Sequence, residues 1–183
     1  AEGHFEVTGS GYDPEGRLQS EDGALLDTVP PGVQRVLVAG ALCSDSHVVR
    51  EDGRWKIQGD PTEAALLVSV QKAGYLVEEL SKRLPRLDVI PFESDRQYMA
   101  TLHADPAAET NRVFVKGAVE KVIELGCCQA GADGLEPPLN REAVLLDTEA
   151  MAGKGYRVLA FADVRCDSMN QSLAQDFCQG RMV

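Results

Sequence analysis

No apolar run in the 183-residue sequence comes near the ~20 residues that a membrane-spanning helix requires, so no such helix is expected within it. Positive charge is scarce as well. Eighteen lysines and arginines stand against 29 aspartates and glutamates, for a net charge of −11 and a pI near 4.7. A surface this acidic suits neither nucleic acid nor anionic lipid, and neither is expected as a partner. The five cysteines (Cys43, Cys127, Cys128, Cys166, Cys178) are odd in number and include no Cys-x-x-Cys pair. His4, His47 and His103 have no metal-ligand spacing to one another or to the cysteines, so no metal site is expected. The thiols read as reduced and mostly buried, as in a cytosolic compartment. Neither Gly-x4-Gly-Lys-Ser/Thr nor Gly-x-Gly-x-x-Gly occurs, so Gly9-Ser10-Gly11 and Asp13-Pro14-Glu15-Gly16 read as turns rather than phosphate loops.

What is present is ordinary globular material, 44% hydrophobic and 26% charged, enough for one domain with a real core. Val113 to Glu120 is its most informative stretch. Val113, Phe114 and Val115 favour a strand, which Lys116 and Gly117 end. Val119, Val122 and Ile123 then start a helical pattern that stops at Gly126. A lysine thus sits at a strand end, beside a glycine that permits close approach and a helix start that favours anions. The simplest alternative is a solvated lysine in a strand-to-helix turn.

The other elements follow from pattern. His4 to Thr8 reads as a short strand, and Arg17 to Pro31 as a polar surface excursion. Val33 to Cys43 reads as a buried helix with Val33, Val36, Leu37, Gly40 and Ala41 on one face. Trp55 and Ile57 mark a strand. Asp60 as N-cap, Pro61 at the first helical position and Glu63 three residues after the cap open a helix that ends at Gly74. Glu63 there has a purely structural explanation, as the reciprocal half of a capping box. Leu76 to Leu84 is a second helix. Val89–Phe92, Tyr98–Leu102 and Arg112–Lys116 read as consecutive antiparallel strands, because their connections are too short for crossover helices. Phe92 and Met99 could be no more than core. Gly131 to Pro138 is turn-rich, Asn140 caps a helix to Met151, Arg157 to Ala162 is a strand, and a short helix is expected near Leu173 to Phe177. The abrupt start at Ala1-Glu2-Gly3-His4, without a signal peptide, and the apolar close at Met182-Val183 suggest a segment of a longer protein.

Four pieces, in this order, resemble the nucleotide-binding domain of P-type cation-transporting ATPases of the calcium-pump-like branch. They are Gly59-Asp60-Pro61-Thr62-Glu63-Ala64-Ala65-Leu66, Pro91-Phe92-Glu93-Ser94-Asp95-Arg96, Val115-Lys116-Gly117-Ala118-Val119-Glu120 and Gly155-Tyr156-Arg157-Val158-Leu159-Ala160. Phe5-Glu6-Val7-Thr8-Gly9 and Ala41-Leu42-Cys43-Ser44-Asp45 are similar to that branch too. The resemblance implies an α/β fold of the α+β type, a twisted and mainly antiparallel sheet flanked by helices, with residues 1–183 as one nucleotide-binding domain.

It also implies roles for single positions. Phe92 would stack on adenine, Glu63 would hydrogen-bond near its amino group, and Met99 would wall the adenine slot. Lys116 would stand at the pocket base with Gly117 and Ala118 giving the backbone room, and Arg157 and Arg96 would lie near the phosphates. The ligand would be ATP or ADP, with Mg-ATP in the full enzyme. The partners would be the phosphorylation and actuator domains of the same pump, on the cytoplasmic side of a plasma or inner membrane. Gln97 departs from the pattern, since the family commonly has a lysine there, and this removes one phosphate-side charge. The Asp-Lys-Thr-Gly-Thr motif that accepts phosphate in such pumps is absent, so no catalytic residue is expected in this chain, and the isolated domain is expected to be monomeric. Two other readings remain at this stage. One is an acidic interaction domain without a nucleotide site; the other is an enzyme using Lys116 as nucleophile or Schiff-base amine, with Glu63 or Glu120 beside it.

Overall fold

The computed structural model describes residues 3–131, 135–174, 177–178 and 180–183. In chain order the elements are β1 (Phe5–Val7), β2 (Leu18–Ser20), α1 (Pro31–Leu42), β3 (His47–Glu51), β4 (Arg54–Gln58), α2 (Pro61–Lys72) and α3 (Val77–Arg83). Then come β5 (Arg86–Ile90), β6 (Tyr98–Asp105), β7 (Thr110–Gly117), α4 (Val119–Leu125), α5 (Arg141–Gly153) and β8 (Ala160–Asp167). The strands form two hairpins, β1-β2 and β3-β4, and one four-stranded sheet in the order β5-β6-β7-β8. Each of these pairings is antiparallel, giving the expected α+β fold.

The central strands β6 and β7 are buried on both faces, and the strand period of two sorts their side chains. Met99 and Phe114 face a core made with Leu37, Leu42, Val70, Leu80 and Leu84, from α1 to α3 and the residue after α3. Ala100, Leu102, Val113 and Val115 face the opposite core, closed by Val122 and Leu125 of α4 and by Met182. Lys116 is two residues beyond Phe114 and therefore projects toward the α1 and α2 side. That parity places a lysine within reach of the start of α2.

Several boundaries differ from the sequence expectation, each for a local reason. The strand expected over Val89–Phe92 ends at Ile90, because Pro91 has no N–H for the ladder and Phe92 falls in the following loop. The strand expected from Arg157 begins at Ala160. Its partner β7 ends at Gly117, which pairs with Ala160, so residues 157–159 have no ladder to join. The excursion from Arg17 contains β2, and a strand, β3, precedes the Trp55 strand. Their hairpin turns at Asp52 and Gly53, both at positive φ (50° and 77°), as a type I′ turn requires. In α1 the buried run is Leu37 to Leu42, while Val36 is exposed. The thiols are less buried than expected: Cys43 and Cys178 are buried, Cys128 and Cys166 intermediate and Cys127 exposed. The helix expected near Leu173 to Phe177 includes residues 175 and 176, and the turn from Gly131 includes 132–134; both sets lie outside the described residues.

Gly117 is set by packing. A Cβ there would meet Gln97 O at 2.5 Å and Tyr98 Cβ at 2.6 Å, so β7 can end against β6 only without a side chain. Gly117→Ala is expected to lower stability by about 1–3 kcal/mol through overpacking against backbone, read as a reduced urea midpoint with unchanged slope. A wild-type midpoint would show that the β5–β6 loop yields freely.

Candidate functional site

Four segments far apart in sequence meet around one cavity of about 540 Å3. The start of α2 supplies Thr62 and Glu63, and the β5–β6 loop supplies Phe92, Ser94 and Gln97. The end of β7 supplies Lys116, Gly117 and Ala118, and the segment before β8 supplies Arg157, Val158 and Leu159. The structure thus brings together Glu63, Phe92, Lys116, Gly117, Ala118 and Arg157. It does not bring Arg96 or Met99 to the lining. Met99 is 1% exposed, packed in the core beneath α1 and paired with Lys116 across the ladder. The Arg96 guanidinium donates to Pro91 O at 3.2 Å, pairs with Glu93 at 2.8 Å and lies over the Tyr98 ring.

Phe92 is 59% exposed and belongs to neither core, so its ring is available at the rim. Lys116 is 7% exposed and is not the solvated lysine of the simplest reading. Its Nζ donates to Glu63 Oε1 at 2.7 Å. Gly117 owes its lack of a side chain to β6, and the Ala118 N–H that begins α4 is taken by Gln97 O at 3.0 Å. Arg157 is exposed and forms no ion pair among the described residues. Gln97 holds a left-handed φ of 59°, an uncommon conformation for a non-glycine residue, where the turn feeds into β6.

Half of the capping-box expectation for Glu63 holds. Asp60 Oδ1 caps α2 by accepting from the N–H groups of Thr62 and Glu63 at 2.8 and 3.1 Å. The reciprocal half fails: the Asp60 N–H donates to Ser46 Oγ at 2.9 Å. The Glu63 carboxylate points away from its own helix start, its Oε2 accepting from Ser44, Asp45 and Ser46. These three residues were missed as site residues. Their signal was a run of short polar residues at a helix end, Ser44-Asp45-Ser46, directly upstream of the α2 pattern.

Burial alone would push the Glu63 carboxyl up. The hydrogen bond and charge of Lys116, then Ser46 and the Asp45 N–H, outweigh it and hold the group at about 2 rather than 4.5. A carboxyl that is more acidic when folded favours the folded state once ionised. Its contribution is therefore complete above the unfolded value of 4.5 and is lost as pH falls toward about 2. Between those values the wild type is expected to lose roughly 1–3 kcal/mol more stability than Glu63→Gln, measured by urea unfolding against pH. Parallel acid limbs would contradict the pairing.

A profile of the family described as P-type ATPase, cytoplasmic domain N, matches residues 32–182. A cation-transporting ATPase, pma1, from Synechocystis is 42% identical over 164 residues, covering 87% of this chain and 18% of that protein. A probable cation-transporting ATPase F from Mycobacterium bovis is 45% identical over 159 residues, covering 86% of the chain and 17% of the relative. A calcium-transporting ATPase from Bacillus subtilis is 29% identical over 120 residues, covering 66% of the chain and 13% of the relative. The chain thus spans less than a fifth of the length of these relatives. With the β3-β4 hairpin and the whole four-stranded sheet inside the matched range, this chain belongs to the family of P-type ATPase cytoplasmic N domains.

Proposed function

We propose that residues 1–183 form one nucleotide-binding domain of a cation-transporting P-type ATPase, holding ATP or ADP in the cavity between α2 and the β5–β6 loop. The observation that carries this reading is the convergence of an exposed aromatic, a buried lysine and an exposed arginine without an ion pair among the described residues on one cavity of about 540 Å3, a volume within the range of small-molecule sites. Adenine stacks on Phe92, worth about 1–3 kcal/mol for a base on an aromatic ring. Glu63 and Lys116 form the polar floor, and Arg157 meets the phosphates.

The electrostatics indicate a weak grip. Lys116 is already neutralised by Glu63, Gln97 adds no charge, Arg96 is engaged elsewhere, and the surrounding net charge is −11. Affinity on the order of 0.1–1 mM, roughly −4 to −5.5 kcal/mol, follows. The chain has no Asp-Lys-Thr sequence, so the domain binds nucleotide without significant hydrolysis. In the full-length pump, its cytoplasmic task is to present the γ-phosphate of Mg-ATP to an aspartate in a separate phosphorylation domain. It does so by rigid-body closure, with the actuator domain as a further partner. A lysine-based enzyme fits less well, because an ammonium donating to Glu63 has no lone pair with which to attack.

Titrating ATP, ADP and GTP into labelled protein is expected to shift the amides of Glu63, Phe92, Lys116 and Arg157, with adenine favoured over guanine. Silence at those positions up to ~10 mM ATP, far above the expected affinity, would favour an acidic interaction domain instead. Phe92→Ala is expected to weaken ATP binding about 5- to 100-fold. Because the ring is exposed, that variant should stay within about 0.5 kcal/mol of wild-type stability, and global unfolding would place Phe92 in the core.

A further inference from the structure

Between α1 and β3 the chain turns at Ser44-Asp45-Ser46, and there the Glu63 carboxylate comes to rest. Its Oε2 accepts from the N–H groups of Asp45 and Ser46, each at 3.0 Å, from Ser46 Oγ at 2.8 Å and from Ser44 Oγ at 3.2 Å. Successive N–H groups converging on one oxygen make an anion-binding concavity, filled here by a side chain of the same protein. The outer side of the turn is fixed as firmly. Arg86 Nη2 donates to Leu42 O and Ser44 O at 2.8 and 2.7 Å, and its Nη1 pairs with Asp45 at 2.5 Å. With its carbonyls drawn to Arg86, the turn keeps its N–H groups aimed at Glu63.

Ser46 is the junction of this arrangement. It is 4% exposed. Its hydroxyl donates to Glu63 and accepts from the N–H of Asp60, the residue that caps α2. Gly59 lies against it so closely that a Cβ there would fall 2.4 Å from Ser46 Oγ, which leaves the hydroxyl little room to turn elsewhere.

We propose that Ser46 is a positioning residue of this site: its hydroxyl and amide fix the Glu63 carboxylate, and through it the Lys116 ammonium, so that the cavity floor is preformed before any ligand arrives. Ser46 touches no nucleotide and acts only through Glu63. The affinity consequence rests on the nucleotide-binding reading, whereas the positional claim stands without it.

Two measurements test this. In labelled wild-type protein taken from about pH 5 to 2, the Glu63 carboxyl carbon and the Asp45 and Ser46 amides are expected to titrate with one midpoint. Amides that ignore the Glu63 titration overturn the proposal, whether or not ATP binds. In Ser46→Ala the Glu63 midpoint is expected to rise by about half a unit or more and the ATP Kd to rise about three- to tenfold. Ser44→Ala, which removes the longer contact to Glu63 and the weak 3.4 Å bond that the Ser44 hydroxyl accepts from the Ser46 N–H, should change the Kd less than about twofold. A Ser46→Ala protein with wild-type midpoint and wild-type affinity overturns the proposal. Should Ser46→Ala not fold, the wild-type titration decides it. Should the wild type bind no ATP, the functional reading fails while the midpoints still decide the role of Ser46.

Discussion

The contact between Lys116 and Glu63, 2.7 Å long with side chains 8% and 17% exposed, ties the end of the central strand to the first turn of the best-capped helix. Removing two charges from water is costly, and a pair so enclosed persists only when further hydrogen bonds satisfy it. Here the carboxylate has five donors in all, one from Lys116 and four from the turn after α1. The sheet register makes the contact possible. Lys116 shares a face with Phe114, the face that α1 and α2 cover, and a slip of one residue would send it into the opposite core.

The same contact sets the character of the cavity. A lysine whose charge is spent inside the protein supplies donors and direction, not a net positive field. Among the lining cations only Arg157 has no ionic partner in the described residues, and it stands in a molecule with an excess of eleven negative charges. On the proposed reading, recognition would rest mainly on shape and on the exposed Phe92 ring, because the net charge opposes rather than assists an anionic ligand.

Much of this was legible in the sequence where one local rule acted alone. The Asp60-Pro61 start of α2, the Gly126 stop of α4, the Asn140 cap of α5 and the three consecutive antiparallel strands were all readable from capping, breakers and loop length. Illegible features were those fixed by a partner elsewhere in the chain. Nothing local says that β8 starts at Ala160, because that depends on where β7 stops. Nothing local sends Glu63 to Ser46 rather than back to Asp60. Met99 and Arg96 show the same limit: their proximity in sequence to Phe92 says little about direction, since the ladder turns Met99 into the core and Glu93 retains Arg96.

Residues 157–159 stand outside the sheet, yet they form one wall of the cavity. The two sides of the cleft are thus unequal in mechanical terms: the Glu63 and Lys116 side is braced by a buried network, whereas the Arg157 side can shift without breaking a sheet hydrogen bond. If the cavity holds a nucleotide as proposed, residues 157–159 are the wall that could follow it without disturbing the ladder, while the buried Glu63–Lys116 floor keeps its place.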